Sequence, residues 1–466
     1  MIDIADHLEP FWDHHLIDRL DEAHLQLHAP TPREVVLRFD RPWEGMGVGY
    51  PTILRDGHTY RLYYRGWPTT SDHGTANYCL AESDDGVHFQ RPAVNEHTIA
   101  GTRENNVVLT GGGAHNLAPF IDTNPDARAS QRYKAVGSVG HGKERGLAAF
   151  ASPDGIHWSL MQEAPVFTKG AFDSQNLAFW SEHEDCYVCY FRIFTDSGFE
   201  REERYKGIRT IARTTSEDFL HWSEPEPMTF GDTPMEHLYT NATTPYFRAP
   251  HIYVALPKRF VPDRAALSTE QFDAFGVASG QRTAISEAVF MTSRGGTAYD
   301  RTFMEALIRP GLDQRNWVGR NRMCAWGVVP TGDDEISIYC QEHYTQPTHN
   351  IRRFTLRTDG FASVRAPYRG GEMTTKPFTF AGKTLAMNYA TSAAGSVRVE
   401  VQDESGKPIA GLTLDDATTH YGDRIAQTVS WKSSAGERTD LSDLAGKPIR
   451  LRFVMADADL YAIRFR

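Results

Sequence analysis

Two acidic residues stand in equivalent settings: Asp173 in GAFDSQNLAFW and Glu236 in TPMEHLYTN, each just upstream of an apolar run. Two carboxylates facing one cleft suit scission of a glycosidic bond. One, protonated, gives its proton to the leaving oxygen; the other, ionised, activates water, attacks carbon or stabilises the cation. Like charges disfavour double ionisation, so proximity itself drives the two apart in proton affinity. Glu44, in the loop PWEGMGVGY, is a third acid, with Asp40 nearby. Arg65, Arg192 and Arg259 close the runs YYRG, YFRI and PKRF, and Arg320 and Arg322 lie in GRNR. In a chain of net charge −11, such arginines make a local positive cluster. It can bind a carboxylate or sulfate, or simply hold the acids in salt bridges.

These residues need elements to position them. The chain is dominated by runs of four to eight β-branched and aromatic residues, such as HTYRLYYRG, CYVCYFRIF and EISIYCQEH, split by Gly, Asp and Asn. That is an all-β pattern, with one predicted helix over 263–276. A short element recurs: SDDGVHF at 83–89, SPDGIHW at 152–158, SEDFLHW at 216–222, then the weaker SRGGTAY at 293–299 and RTDGFAS at 357–363. Asp-Gly between strands is a hairpin signal. A second hairpin precedes each copy, so each unit is four strands. Five units predict a five-bladed β-propeller, with 33–40 (REVVLRFD) as an outer strand of the last blade. An element present once per blade is frame, because a site needs one copy of each group. The Asp154–His157 pair is therefore read as structural.

A propeller gathers chemistry at one end of its axis, where first strands start and second strands end. That rule selects Tyr50, His115, Asn116, Asp173, Gln175, Asn176, Glu236, Tyr239, Asn241, Arg320 and Asn321 at first-strand starts. Arg65, Arg192, Lys258 with Arg259, and Glu342 are selected at second-strand ends, and Trp43 and Glu44 from the preceding loop. Trp43, Tyr50, Trp67 and Tyr239 are aromatic faces for sugar stacking or for packing. The candidate catalytic set is Asp173, Glu236 and Glu44; the others are candidate substrate contacts.

From 367 the four-strand grammar stops and alternating strands predict a C-terminal β-sandwich over 367–466, after a propeller over 1–366. The acidic balance argues against a general phosphate-backbone binder. No long apolar run suggests a membrane span. Five scattered cysteines and a start without a basic, apolar leader read as cytoplasmic. Cys186 and Cys189 lie on one strand and point to opposite faces, so they read as small hydrophobes. DHH at 13–15 reads as a solvated helix start, not a ligand set. No metal and no cofactor are expected.

The five-unit grammar, the S-x-D-G-x-x-W turns and the trailing sandwich resemble the five-bladed propeller glycoside hydrolases, the invertase/fructofuranosidase and arabinanase/β-xylosidase families. AFDSQN, DFLHW, EHLYTN and LAGKP are similar to bacterial sequences labelled family-32-like glycosyl hydrolases. The resemblance implies that Asp173 matches the middle-blade Asp and Glu236 the acid. Where those families carry a first-blade Asp before Pro as nucleophile or base, this chain has Tyr50-Pro51; Glu44 or Asp40 could replace it, or Asp173 itself is the base. The expectation is an exo-acting glycoside hydrolase on a small oligosaccharide or glycoside, anionic or furanosidic sugars included. A non-catalytic carbohydrate-binding propeller, or a lyase or phosphorylase on the same fold, is the alternative. No nucleic acid or membrane partner is expected, and a homo-oligomer is left open.

Overall fold

The computed structural model describes residues 1–68, 76–140, 145–199, 205–434 and 436–466. It is almost entirely β. The helix predicted over 263–276 is a single turn and a half, Thr269–Ala274, held by a reciprocal cap between Ser268 and Gln271.

The chain divides into two compact units. The larger holds residues 31–331 and 337–355. Its strands form successive antiparallel sheets in chain order. The first is Gly49–Asp56, Thr59–Gly66, Asn77–Ser83 and Val107–Thr110. The second is Ala118–Ile121, Tyr133–Val139, Gly146–Ser152 and Ser159–Leu160. The third is Leu177–Ser181, Cys186–Phe194, Arg209–Ser216 and Glu226–Pro227. Two three-stranded sheets follow, with Ala249–Ala255 and Ala284–Val289 as middle strands; Lys258–Pro262 leads the second. The last sheet is Val329–Pro330, Glu335–Glu342, Asn350–Arg357 and, from far upstream, Thr31–Arg38. A parallel bridge between Thr52 and Trp326 joins the first sheet's leading strand to the segment that opens the last.

The repeated hairpin turns are structural. Ser152 Oγ accepts the Gly155 amide at 2.9 Å, and Asp154 Oδ1 accepts the Ile156 and His157 amides. His157 Nδ1 lies 2.6 Å from Asp154 Oδ2. The same bonds recur at Ser83, Asp85 and His88 and at Ser216, Asp218 and His221. The His88 amide and ring hold the Asp85 carboxyl far below the usual carboxylate range. Each turn docks on the sheet before it. Tyr63 donates to Gly155 O at 3.0 Å, and Trp158 packs beside the first sheet's core. Tyr339, in the last sheet, donates to Gly86 O at 2.6 Å. In the third copy Phe219 takes the glycine position at a φ of 71° and is buried against Phe120 and Tyr187.

The smaller unit holds residues 1–30, 332–336 and 356–466. The division therefore differs from the sequence boundary at 366/367. The first thirty residues supply four strands here, pairing with 378–379, 462–464, 371–375 and 362–365, because their apolar side chains fill this unit's core. His14 and His15 accordingly precede a strand, Ile17–Asp21, and begin no helix. The strands expected as a sandwich hydrogen-bond as one ten-stranded sheet built on two long strands, Leu385–Asp403 and Ile449–Phe465. Trp431 is fully buried in its core and donates to Val399 O at 2.8 Å.

The docking turns give a stability test. Gly57 has a φ of 61° and open space where a Cβ would stand, so Gly57→Ala should lose about 1 kcal/mol to left-handed strain. At Gly155, φ 79°, a Cβ would meet the Tyr63 hydroxyl and the Arg61 guanidinium, adding an overpacking cost of about 1–3 kcal/mol. Thermal unfolding should therefore show Gly155→Ala well below Gly57→Ala in Tm. Equal shifts would show that the turn is not docked.

Candidate active site

The sheets bring first-strand starts and second-strand ends to one place. The loop Phe172–Ser174 carries Asp173 there and is fixed through its backbone. Asn116 Nδ2 donates to Phe172 O at 2.7 Å, and Asn176 Nδ2 to Ser174 O at 2.9 Å. Tyr50 donates its hydroxyl to Asp173 O at 3.1 Å, and Ser174 Oγ donates to Tyr239 O at 2.8 Å. Asn116, Asn176 and Tyr50 are therefore positioning residues, with backbone as their partner. Gln175 Nε2 reaches Pro51 O at 3.4 Å. The Asp173 carboxylate is ion-paired with Arg192, and 27% of its side chain remains exposed.

Around this acid lie cations with no ion pair to a glutamate among the described residues. Arg65 is buried; Nε and Nη2 donate to Gly47 O, and its guanidinium sits 4.8 Å from the Tyr50 ring centre and 4.6 Å from that of Trp67. Its Nη1 is 3.3 Å from His115 Nε2; a guanidinium only donates, so Nε2 must be the unprotonated ring nitrogen. Tyr239 is shared by four cations: Lys258 Nζ at 4.2 Å from the ring centre, Arg192 at 5.3 Å, Arg209 at 5.4 Å and Arg320 at 5.6 Å. All lie within cation–π range. Burial, then Arg320, Arg65, Arg192 and Arg209, push the Lys258 amine well below the ordinary lysine range. Burial also raises the Tyr50 hydroxyl, keeping it a donor. Tyr50 and Arg320 both hold left-handed backbone, at φ 49° and 62°, a strain that concentrates at functional sites.

Several sequence candidates are used elsewhere. Glu44 is fully buried, bonded to the Tyr64 hydroxyl at 2.6 Å and to Arg91 Nε at 2.7 Å, so it is a structural acid. Glu236 has both oxygens engaged, by Arg259 at 2.8 Å and Arg301 at 2.7 Å. Two arginines thus hold its carboxylate, with 22% of the side chain exposed. Arg259 also binds Glu287, which removes it from the cluster. Glu342 is buried between Arg322 and Arg352. Trp43 donates to Asn106 Oδ1 at 2.7 Å inside the core. Asn241 accepts the Thr243 amide, and Asn321 ties Arg315 O to the Tyr344 amide.

One member, Arg209, was not selected from the sequence, and Lys258 was selected only together with Arg259. Lys258 and Arg259 are adjacent on one strand, so their side chains leave on opposite faces. Only the fold shows that Lys258 takes the inner face. Arg209 starts a third strand, which begins where second strands end; extending the end rule to third strands would have found it. All five cysteines are free thiols, Cys189 pushed up by burial. Among the described residues no metal-binding cluster occurs, and no helix is long and apolar enough to cross a membrane. A cavity of about 460 Å³ lies at the opposite ends of the first strands, lined by Phe120, Phe179, Trp180, Tyr246, Phe247 and Trp326 among others. The acid and the cations are at the other end.

No protein-family model matches the chain, and no curated protein matches it. Solved structures do. An N-acetylgalactosamine deacetylase from F. plautii, in complex with blood group B trisaccharide, is similar with a TM-score of 0.45 and 11% identity, over 72% of this chain and 96% of its own. A glycoside hydrolase is similar with a TM-score of 0.43 and 12% identity, over 73% and 92%. A variant fructofuranosidase from Schwanniomyces occidentalis, complexed with fructosylnystose, spans 99% of this chain and 98% of its own at a TM-score of 0.38 and 10% identity. Glycoside hydrolases, the group that the sequence motifs resemble, thus stand among the structures to which this chain is similar.

Two outcomes follow from the site's electrostatics. Glu44→Ala removes the fully buried carboxylate that Tyr64 and Arg91 share and leaves Arg91 with the exposed Asp40, so it should lose about 1–3 kcal/mol, while turnover per folded molecule persists. Loss of turnover in a fully folded variant would restore Glu44 to the chemistry. Burial and its arginine neighbours lower the Lys258 amine's proton affinity in the folded state. The unfolded chain thus holds more protons below the ordinary lysine value of about 10.4, and stability rises with pH toward it. Lys258→Met should therefore raise Tm at pH 7, with the gain shrinking toward pH 10. A lower Tm at pH 7, or a gap independent of pH, would contradict the lowered proton affinity.

Proposed function

We propose that this chain is an enzyme that cleaves a glycosidic bond at the chain end of a small carbohydrate, on a five-bladed propeller, with Asp173 as its acid/base. The observation that carries the reading is the placement of Asp173. Among the described residues it is the one carboxylate within the Arg65–Arg192–Tyr239 cluster, partly open, on a loop whose backbone is fixed by Asn116, Asn176 and Tyr50. A fixed loop holds a proton-transferring group in register with its substrate, which is where such catalysis gains its rate. Trp67 and Tyr50 pack on Arg65, and Tyr239 on Arg192, so these rings hold the cations beside it. Paired-carboxylate chemistry with Glu236 is not part of the proposal, because both Glu236 oxygens are bound by arginines.

A second reading, a propeller that binds carbohydrate without cleaving it, is favoured by one observation. Glu44 and Glu236, the two other candidate acids, are both consumed by ion pairs.

Turnover of a panel of aryl glycosides and short oligosaccharides separates the two. Asp173→Asn should lower kcat by about 10²–10⁴-fold, and Glu236→Gln should retain most of it. Near-normal turnover in Asp173→Asn would sink the assignment. Saccharide binding by calorimetry with no turnover of any substrate would establish the binding module instead. Release of single terminal units, read by chromatography, checks action at chain ends.

A further inference from the structure

We propose that Arg65, Arg192, Arg209, Lys258 and Arg320 form a subsite for an oxyanion (phosphate, sulfate or carboxylate) presented beside the bond that Asp173 acts on. The inference rests on the reading of Asp173 given above and names what that site recognises.

The other buried arginines of this unit show what a structural cation looks like here. Arg91 meets Glu44, Arg259 and Arg301 meet Glu236, and Arg322 meets Glu342. The cluster differs. Among the described residues the five cations share one carboxylate, Asp173, which pairs with Arg192. Lys258 Nζ is buried with no hydrogen-bond partner among the described residues; the unpartnered Nε atoms of Arg192 and Arg209 do not set them apart, since Arg301 and Arg322 have the same. Folding keeps such donors dry only at a cost. Tyr239 offsets part of it, because its ring faces four of the cations at once. A ring face satisfies charge and leaves N–H groups free to point elsewhere. Planar forks and a lysine converging on one spot match the oxygens of a carboxylate, sulfate or phosphate.

The oxyanion has two sources of the same chemistry: a substituent on the sugar, or free inorganic phosphate. Phosphate, held so that its oxygen attacks the anomeric carbon, would displace the leaving sugar oxygen. That oxygen takes the proton delivered by Asp173, and the product is a sugar phosphate. A substituent would only anchor the substrate, with water as attacker.

Calorimetric titration of the full chain with inorganic phosphate, inorganic sulfate and glucuronic acid tests the proposal. At least one should bind saturably, and its affinity should fall by about tenfold or more in Lys258→Met and in Arg209→Gln, as expected for a lost hydrogen bond to a charged group. Arg209 is half-buried and gives a second variant should Lys258→Met misfold. Phosphate binding with phosphate-dependent turnover assigns the free anion; glucuronate or sulfate binding with turnover unaffected by phosphate assigns the sugar substituent. No binding of any probe by the wild type, or equal affinity in both folded variants, overturns the subsite. Asp173→Asn separates the two claims. It should abolish turnover and keep oxyanion binding, so either can fail without the other.

Discussion

The arrangement depends on one long-range pairing. Thr31–Arg38 lies antiparallel on Asn350–Arg357, so the last sheet takes its outer strand from the start of the unit. Arg353 holds Glu34 at 3.0 Å across that seam, and Arg352 reaches Arg33 O. Joining segments some three hundred residues apart costs loop entropy, but that cost grows only slowly with length. The seam also pairs one edge of the last sheet, which would otherwise invite pairing with other chains. Docked turns repeat the logic locally: Gly86 under Tyr339 and Gly155 under Tyr63 lock each sheet onto its neighbour.

That constraint explains why the site is so heavily charged. First-strand starts and second-strand ends are forced to one place, where water is scarce. Charges there interact strongly and must find partners. The fold meets this in two ways. Outlying acids, Glu44, Glu236 and Glu342, are paired with arginines and become part of the frame. The inner cations instead surround an aromatic ring, and one of them, Lys258, is held well below the ordinary lysine range. Among the described residues Asp173 is the partly open carboxylate that lies within that cluster.

Much of the frame was legible in the sequence. Period-two alternation gives strands because successive side chains leave on opposite faces. Asp-Gly and the Ser-x-Asp spacing give the turns, since those bonds span two or three residues. Thus the Asp154–His157 pair was correctly set aside as frame. The strand at 33–40 was also anticipated, within two residues of Thr31–Arg38. The role of the first thirty residues was not, because their partners lie at 362–379 and 462–464 and no local pattern signals them.

By itself, the sequence determined the local objects: which segments extend, where they turn, and which polar residues cluster near strand ends. Tertiary structure decided which of those residues face one another. Glu44 and Arg91 are forty-seven positions apart, and Glu236 and Arg301 sixty-five, yet each pair is in contact. Lys258 and Arg259 are neighbours in the chain, yet one faces the ring of Tyr239 and the other two glutamates. Hydrogen-bonded turns are short-range and readable. Charge pairing is set by distance in space, and that distance exists only once the sheets have closed.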